Sequence, residues 1–569
     1  MSKPKHAVRF LGGTWYSWLV SMNAAFGGFL FGYEVGILNS VLEMDPFKLF
    51  FGLADWSADR NRSIPSDLAA ARTSHIFSFF LLGCIPGSLF IAAAAHRLGR
   101  KRSIWIGSAP FTAGALIQAA IPTGLDVSSR IAMMLAGRFL TGVGIGILSM
   151  AVPLYIAELA PADIRGRLTS VQQLMITIGI AFAASMNAVL ITTFQNAPFD
   201  NDIQWRLALG LQAAPALLLL AVYFFLPESP RWLMVSDREE EALATLAKLR
   251  EQSVKSQAVQ EEFFELKTAL DAERAVGTAT WRELGMKGVR ERLVMSVLLQ
   301  FFQVRYYRFY IVGMTRAYDF SIHVAMDGNQ LDPVFQRNSV CWYGILYLPI
   351  YMNNLTIKLP AMGFAHSTAI TTNVIISTIV NVLATLPGMV LIDRAGRRKL
   401  LIVGAIGMSV CMWLMCIFVN LFESASGYDG VDIPDDAPIP GIARVWSMLS
   451  LISCYTYIAF FAATWGPTVW VYQSEIFPMR VRSKGTGLAT TSNWINNYII
   501  SAVWPFVSRA LTANQYAIFA VFGIIMAMYV YKYVPETMGR TLEEMDAVFG
   551  VPSDAVGGGR SHGGADLKA

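Results

Sequence analysis

Glu34 is a carboxylic acid inside an apolar run over 17–42, and Arg138 is a guanidinium inside another over 131–157. An ionisable side chain at the centre of a membrane-crossing helix costs about 2.5–3.5 kcal/mol on insertion scales and needs a partner. Each of the two is the other's natural partner. Burial disfavours a charged carboxylate, and a nearby guanidinium favours it. Moving the pair apart would therefore favour proton uptake. The bland alternative is a fixed ion pair that never titrates. No nucleophile–base set, metal-ligand spacing or phosphate loop is present, so catalytic residues, a metal site and a cofactor are not expected, and the chain does not read as an enzyme. Five cysteines lie in apolar segments without a CxxC pair, which indicates neither a disulfide framework nor a zinc site.

Such groups need elements to hold them. The 569 residues are 54% hydrophobic and only 15% charged, with a net charge of +5. An ordinary soluble domain is about 25% charged, so this charge cannot cover several soluble domains. A nucleic-acid-coating protein is excluded as well. A membrane span needs about 20 apolar residues. Apolar runs appear near 17–42, 73–95, 103–122, 131–157, 168–193 and 206–226, then near 293–303, 367–392, 399–421, 445–473, 484–507 and 516–534. Numbered in order, these are spans 1 to 12. The expected fold class is an all-α polytopic membrane protein, with twelve transmembrane helices in two six-helix halves. The expected organisation is an N-terminus over 1–16, a first half over 17–226, a charged helical linker over 227–292, a second half over 293–534 and a tail over 535–569.

Orientation follows from the basic residues. The loops 96–102, 165–167, 394–399 and 480–484 are basic and fall on one side, with Lys3, Lys5 and Arg9. The loop 422–443 carries five acids and no Lys or Arg, and falls on the other side. By the positive-inside rule both termini and the linker are cytoplasmic. The plasma membrane is the expected location. Asn61-Arg62-Ser63 is a glycosylation sequon on the outer side, used or unused. The halves also repeat: LGRKRS (98–103) echoes AGRRKL (395–400), and spans 4 and 10 both end in an acid, a Pro and an Arg. Parallel repeats with a midplane site between them are a transporter architecture.

With these motifs the chain resembles the sugar porter family of the major facilitator superfamily, of the fungal hexose/proton symporter type. The residues that carry the likeness are GGFLFGYEVGILNS (27–40), RLGRK (97–101), GRFLTGVGIG (137–146), PLYIAELAPADIRGRLTSVQQ (153–173), PESPRWL (227–233), DRAGRR (393–398) and PETMGRTLEEMD (535–546). The resemblance implies that Glu34 is the protonation site and that Arg138 competes with the proton for it. The family usually has Asp there, so Glu is a departure of one methylene. It implies sugar contacts from Gln173, Gln303, Asn381, Trp470, Asn493 and Trp494. It also implies a cytoplasmic charge network of Arg100, Glu158, Arg165, Arg397, Glu475 and Arg482 that holds the outward-facing state. His96 stands where the family has an acid in the first inner loop.

Span 7 is interrupted. LVMSVLLQFFQ (293–303) gives way to 33 residues, 304–336, with three Arg, three Asp and one His, before SVCWYGILYLPIYM (339–352) resumes. Charge of that kind in mid-span is physically poor. The segment reads as a retained intron: Val-Arg can be encoded by GTACGT and Phe-Gln by TTTCAG, a donor and an acceptor sequence. A real insert forming an outer loop is the alternative. After removal, Arg337, Val340 and Trp342 stand where the family has Gln, Gly and Asn.

The function expected is transport of a monosaccharide by alternating access with proton symport. The runners-up are a polyol or sugar-acid permease, a facilitative carrier, a non-transporting nutrient sensor, and a chain made non-functional by its insert. The expected partners are the sugar, protons and the lipid bilayer, with no nucleic acid and a monomeric state.

Overall fold

The computed structural model describes residues 14–42, 44–57, 62–65, 69–194, 201–276, 280–312, 366–426, 441–478, 480–511, 514–540, 545 and 549. The Asn61 sequon, residues 313–336, Arg337 and the run 339–352 lie outside them.

Each apolar run becomes helix. Spans 2 to 5 are single helices: Ala69–Leu98, Arg100–Ala119, Val127–Leu159 and Arg165–Thr193. So are spans 8, 9, 11 and 12: His366–Arg394, Arg397–Ser426, Arg482–Leu511 and Gln515–Tyr533. Span 1 is broken between Trp15–Ala24 and Phe26–Val41, span 6 between Ile203–Leu211 and Ala213–Val222, and span 10 between Gly441–Ala463 and Trp465–Glu475. Eight of these stretches are long and apolar enough to cross a membrane by length and composition. Span 11 is not one of them. Its Thr490, Asn493, Asn497 and Ser501 are buried against other helices, where lipid does not reach them. Span 7 runs over Val289–Val312, past Gln303 and into 304–336.

Among the described residues the one strand pair is an antiparallel hairpin of Ala54–Ser57 and Arg62–Pro65, with Ala54 opposite Pro65. It follows the short helix Asp45–Phe50 between spans 1 and 2.

Small residues set the helix approaches, as in other membrane bundles. A Cβ on Gly28 of span 1 would stand 2.6 Å from the Gln172 carbonyl of span 5. Gly144 of span 4 is as close to the Gly107 carbonyl of span 3. Each half has its own apolar core. The halves meet along two seams, span 2 against span 11 and span 5 against span 8. Met389 and Trp494 of the second half join the core of the first.

The linker forms helices Pro230–Val235, Glu239–Arg250 and Gln257–Val276, then a 3-10 turn, Trp281–Gly285. The second of these starts with Glu239, Glu240 and Glu241 and ends with Lys248 and Arg250, which suits the helix dipole at both ends. Its last turn is clasped by span 1: Thr14 Oγ1 and Ser17 Oγ donate to the Leu249 carbonyl at 2.6 and 2.8 Å. Arg250 reaches the Leu159 carbonyl at the end of span 4 and pairs with Glu262. On the second half, Glu283 of the turn pairs with Arg480 at 3.1 Å.

Candidate functional site

Glu34 and Arg138 are both 1% exposed. Arg138 Nη1 donates to Glu34 Oε1. Thr141, on the same face of span 4, donates its hydroxyl to that same oxygen at 3.0 Å. Arg138 Nε is held by the Ile76 carbonyl of span 2 at 3.1 Å, and its guanidinium lies 5.0 Å from the centre of the Phe80 ring. Glu34 Oε2 is buried and has no hydrogen-bond partner among the described residues. The structure thus brings together the two groups that the sequence paired, with one carboxylate oxygen left over.

A second cluster surrounds the break in span 10. Gln303 Nε2 donates to the carbonyls of Trp465 and Gly466 at 3.0 and 3.1 Å. A Cβ on Gly466 would lie 3.3 Å from Gln173 Nε2 of span 5. Gln173 and Gln303 therefore converge from opposite halves on the start of the Trp465–Glu475 segment, next to the break at Thr464. Asn493 Nδ2 donates to Gln300 Oε1 at 2.6 Å, Gln300 Nε2 to Gln473 Oε1 at 2.7 Å, and Asn497 Nδ2 to Asn493 Oδ1 at 2.8 Å. This amide chain contains Gln300, Gln473 and Asn497, which the motif reading missed. The signal was there for Gln300 and Asn497, three residues before Gln303 and four after Asn493, on the same helix faces.

Trp494 is placed differently from Trp470. Its indole N–H donates to Ser149 Oγ of span 4 at 3.2 Å, and its ring sits 5.2 Å from Phe31 and 6.0 Å from Phe80. It is a second-half ring lodged in the first half. Trp470 is buried on the Trp465–Glu475 segment. Asn381 is half-buried on span 8 and takes no part in the amide chain.

The third cluster lies at the end of the molecule that carries the basic loops. Arg100 Nη2 pairs with Glu158 Oε1 at 2.8 Å, and Ser229 Oγ donates to Glu158 Oε2 at 2.6 Å. In the second half Arg397 Nη2 pairs with Glu475 Oε1 at 2.8 Å, and Thr537 Oγ1 donates to Glu475 Oε2 at 2.9 Å. Backbone N–H groups of Arg100 and Arg397 donate to Glu228 and Glu536. Gly99 and Gly396 precede these arginines at φ 85° and 90°, and a Cβ on either would strike the glutamate. Burial pushes the Glu228 carboxyl up, against the N–H groups of Ser229, Lys101 and Arg100 and the Arg100 charge, which hold it down. Arg165 Nη1 donates to the Arg540 carbonyl and Arg482 Nε to the Phe477 carbonyl. The glutamates thus bond to Arg100 and Arg397, and the charge of Arg482 acts on Glu158 across the halves.

The sequence profile of the family described as "Sugar (and other) transporter" matches residues 20–316 and 341–549. The low-affinity glucose transporter HXT1 of Saccharomyces cerevisiae is 29% identical over 527 residues, 92% of this chain and 80% of its own length. Hexose transporter 2 of Kluyveromyces lactis is 30% identical over 535 residues, 93% of this chain and 82% of its own. Among solved structures, the proton:xylose symporter XylE bound to 6-bromo-6-deoxy-D-glucose is 27% identical, covers 94% of this chain and 99% of its own, and has a TM-score of 0.70. XylE from E. coli in its inward-open conformation matches at a TM-score of 0.60, with 27% identity over 94% of this chain and 100% of its own. Relatives of this kind are transporters, not enzymes, and the helices make the chain an integral, multi-pass membrane protein. From its motifs, its two six-helix halves and these matches, the chain belongs to the sugar porter family of the major facilitator superfamily.

Proposed function

We propose that the chain carries a monosaccharide across the membrane by alternating access, coupled to a proton on Glu34. The observation that carries the sugar site is the convergence of Gln173 and Gln303, from opposite halves, beside the break in span 10. Amide groups both donate and accept, as sugar hydroxyls require. Asn381, Trp470, Asn493 and Trp494 complete the site in this reading. The spare Oε2 of Glu34 supports coupling, as does the likeness to a structure named as a proton:xylose symporter. The basic end is cytoplasmic, the membrane is the plasma membrane, and the carrier works as a monomer. The charge network of Arg100, Glu158, Arg165, Arg397, Glu475 and Arg482 closes the cytoplasmic side in the outward-facing form of the carrier. The division into two halves, a linker over 227–292 and an interruption at 304–336 belongs to the same reading. The gap in the family match, 317–340, lies mostly within that interruption.

Uptake in a transporter-deficient cell, over a panel of labelled sugars, polyols and sugar acids, tests the reading. Accumulation of a monosaccharide that collapses with a protonophore and with Glu34→Gln is expected. Uptake down a gradient alone, indifferent to both treatments, would mean a facilitative carrier. A signalling response without uptake would mean a sensor.

A further inference from the structure

At the basic end, one corner of each half sets a cation against a tyrosine. In the first half Lys101, near the start of span 3, has its Nζ 4.6 Å from the centre of the Tyr223 ring. Tyr223 opens the 3-10 turn Tyr223–Phe225 that follows span 6. In the second half the guanidinium of Arg398, near the start of span 9, lies 5.5 Å from the centre of the Tyr531 ring, and its Nη2 donates to the Tyr531 carbonyl. Tyr531 is in the last turn of span 12. The two corners share one register. Tyr223 stands five residues before Glu228, and Tyr531 five before Glu536. Glu228 accepts the N–H groups of Arg100 and Lys101, and Glu536 those of Arg397 and Arg398.

Both corners expose rings. Phe224 and Phe225 are 77% and 82% exposed, and Tyr531 and Tyr533 70% and 54%. They end apolar spans of an integral membrane protein, so the edge of the bilayer is what meets them. Rings with a polar tip collect where a bilayer meets water. The corners differ in charge. Aligned on their glutamates, YFFLPE (223–228) matches YKYVPE (531–536), so Lys532 stands where the first half has Phe224. Lys532 Nζ is 5.3 Å from the centre of the Tyr533 ring, a distance at which the ring face attracts a cation. With Arg398 and the exposed Lys399 it makes three cations, where the first half has Lys101 and Arg102. None of Arg398, Lys399 and Lys532 is in an ion pair among the described residues. Glu536 is taken up by the backbone N–H groups of Arg397, Arg398, Thr537 and Met538. Arg398 Nε is buried and has no hydrogen-bond partner among the described residues.

We propose that the corner between the start of span 9 and the end of span 12 binds the headgroup of an anionic phospholipid. Arg398, Lys399 and Lys532 supply the charge for its phosphate, and Tyr531 and Tyr533 lie against its glycerol and upper acyl chains. A guanidinium suits phosphate oxygens in pairs. The exposed rings favour a lipid over a free phosphate compound, which has no apolar part to cover them. The span 3–span 6 corner, with Phe224 in place of a third cation, sits in the bilayer without that preference. A basic residue near an anionic membrane surface is worth about 1 kcal/mol, a factor of about five in affinity.

The test uses the full-length protein in detergent micelles, titrated with phosphatidylserine over a phosphatidylcholine background. Native mass spectrometry reads the number of lipids retained and their affinity. Lipid in a micelle reaches both ends of the protein, so the outcome depends neither on which end is cytoplasmic nor on sugar uptake. One retained phosphatidylserine is expected. Lys532→Phe should weaken it about fivefold, and the triple variant R398Q/K399Q/K532F should bring it down to the level of phosphatidylcholine. Phe224→Lys should add a second retained phosphatidylserine, a gain that a misfolded variant does not give. Unchanged retention in Lys532→Phe or in the triple variant overturns the proposal. So does equal retention of phosphatidylcholine by the parent protein, and so does displacement of the lipid by an equal concentration of water-soluble glycerophosphoserine, which would mark a site for free phosphate compounds.

Discussion

Glu158 and Glu475 at the basic end each have both carboxylate oxygens engaged, one by arginine and one by a hydroxyl. Glu34 in mid-span has one oxygen bonded twice and the other not at all. A buried polar group left without a partner costs about 1–3 kcal/mol. The first arrangement suits carboxylates that stay charged while helices move around them. The second suits a carboxylate whose state is meant to change. The difference teaches that pairing with arginine does not by itself mark a structural ion pair. The count of satisfied oxygens is the better guide.

Five variants can break or sharpen this contrast. The largest effect is expected from Arg397→Ala, which strips the shared cation from Asp393 and Glu475. Breaking a buried pair costs about 3–5 kcal/mol, and the melting temperature in detergent should fall furthest here. Arg138→Ala leaves one carboxylate that can relax by taking a proton, so its loss should be smaller; an equal loss would undo the contrast. Next comes Thr537→Val, which deprives Glu475 Oε2 of its donor and should lower the melting temperature more than Thr141→Val, where Arg138 still holds the same oxygen of Glu34. A hydrogen bond to a charged group is worth about 1.5–3 kcal/mol. The smallest shift is expected for Trp494→Phe. It keeps a ring beside Phe31 and Phe80 and gives up only the bond to Ser149, about 0.5–1.5 kcal/mol. A separate check on the chain itself is sequencing of the mature transcript. Reads that join codon 303 to codon 337 are expected, and reads running through 304–336 would refute the intron.

The apolar runs made the helices legible, because a span is long and its composition is extreme. The Glu34–Arg138 pair was legible because each charge stood alone in such a run. The breaks at Ala25, Gln212 and Thr464 were not, since local pattern does not say where a neighbouring helix will press or a side chain will take a carbonyl. Which arginine of the charge network meets which glutamate was not legible either, since Arg100 and Arg397 reach Glu158 and Glu475 from other helices. Gln473 sits in a segment read only for Trp470 and Glu475, so its place in the amide chain needed three dimensions.

The grip of Thr14, Ser17 and Arg250 on the end of the Glu239–Arg250 helix has a practical consequence. That linker helix is fastened to spans 1 and 4 and travels with the first half as cargo. A fluorophore on its exposed face would be a flag planted on one half, read against a second on the other. Rocking of the carrier could then be followed in a working membrane with the sugar path untouched.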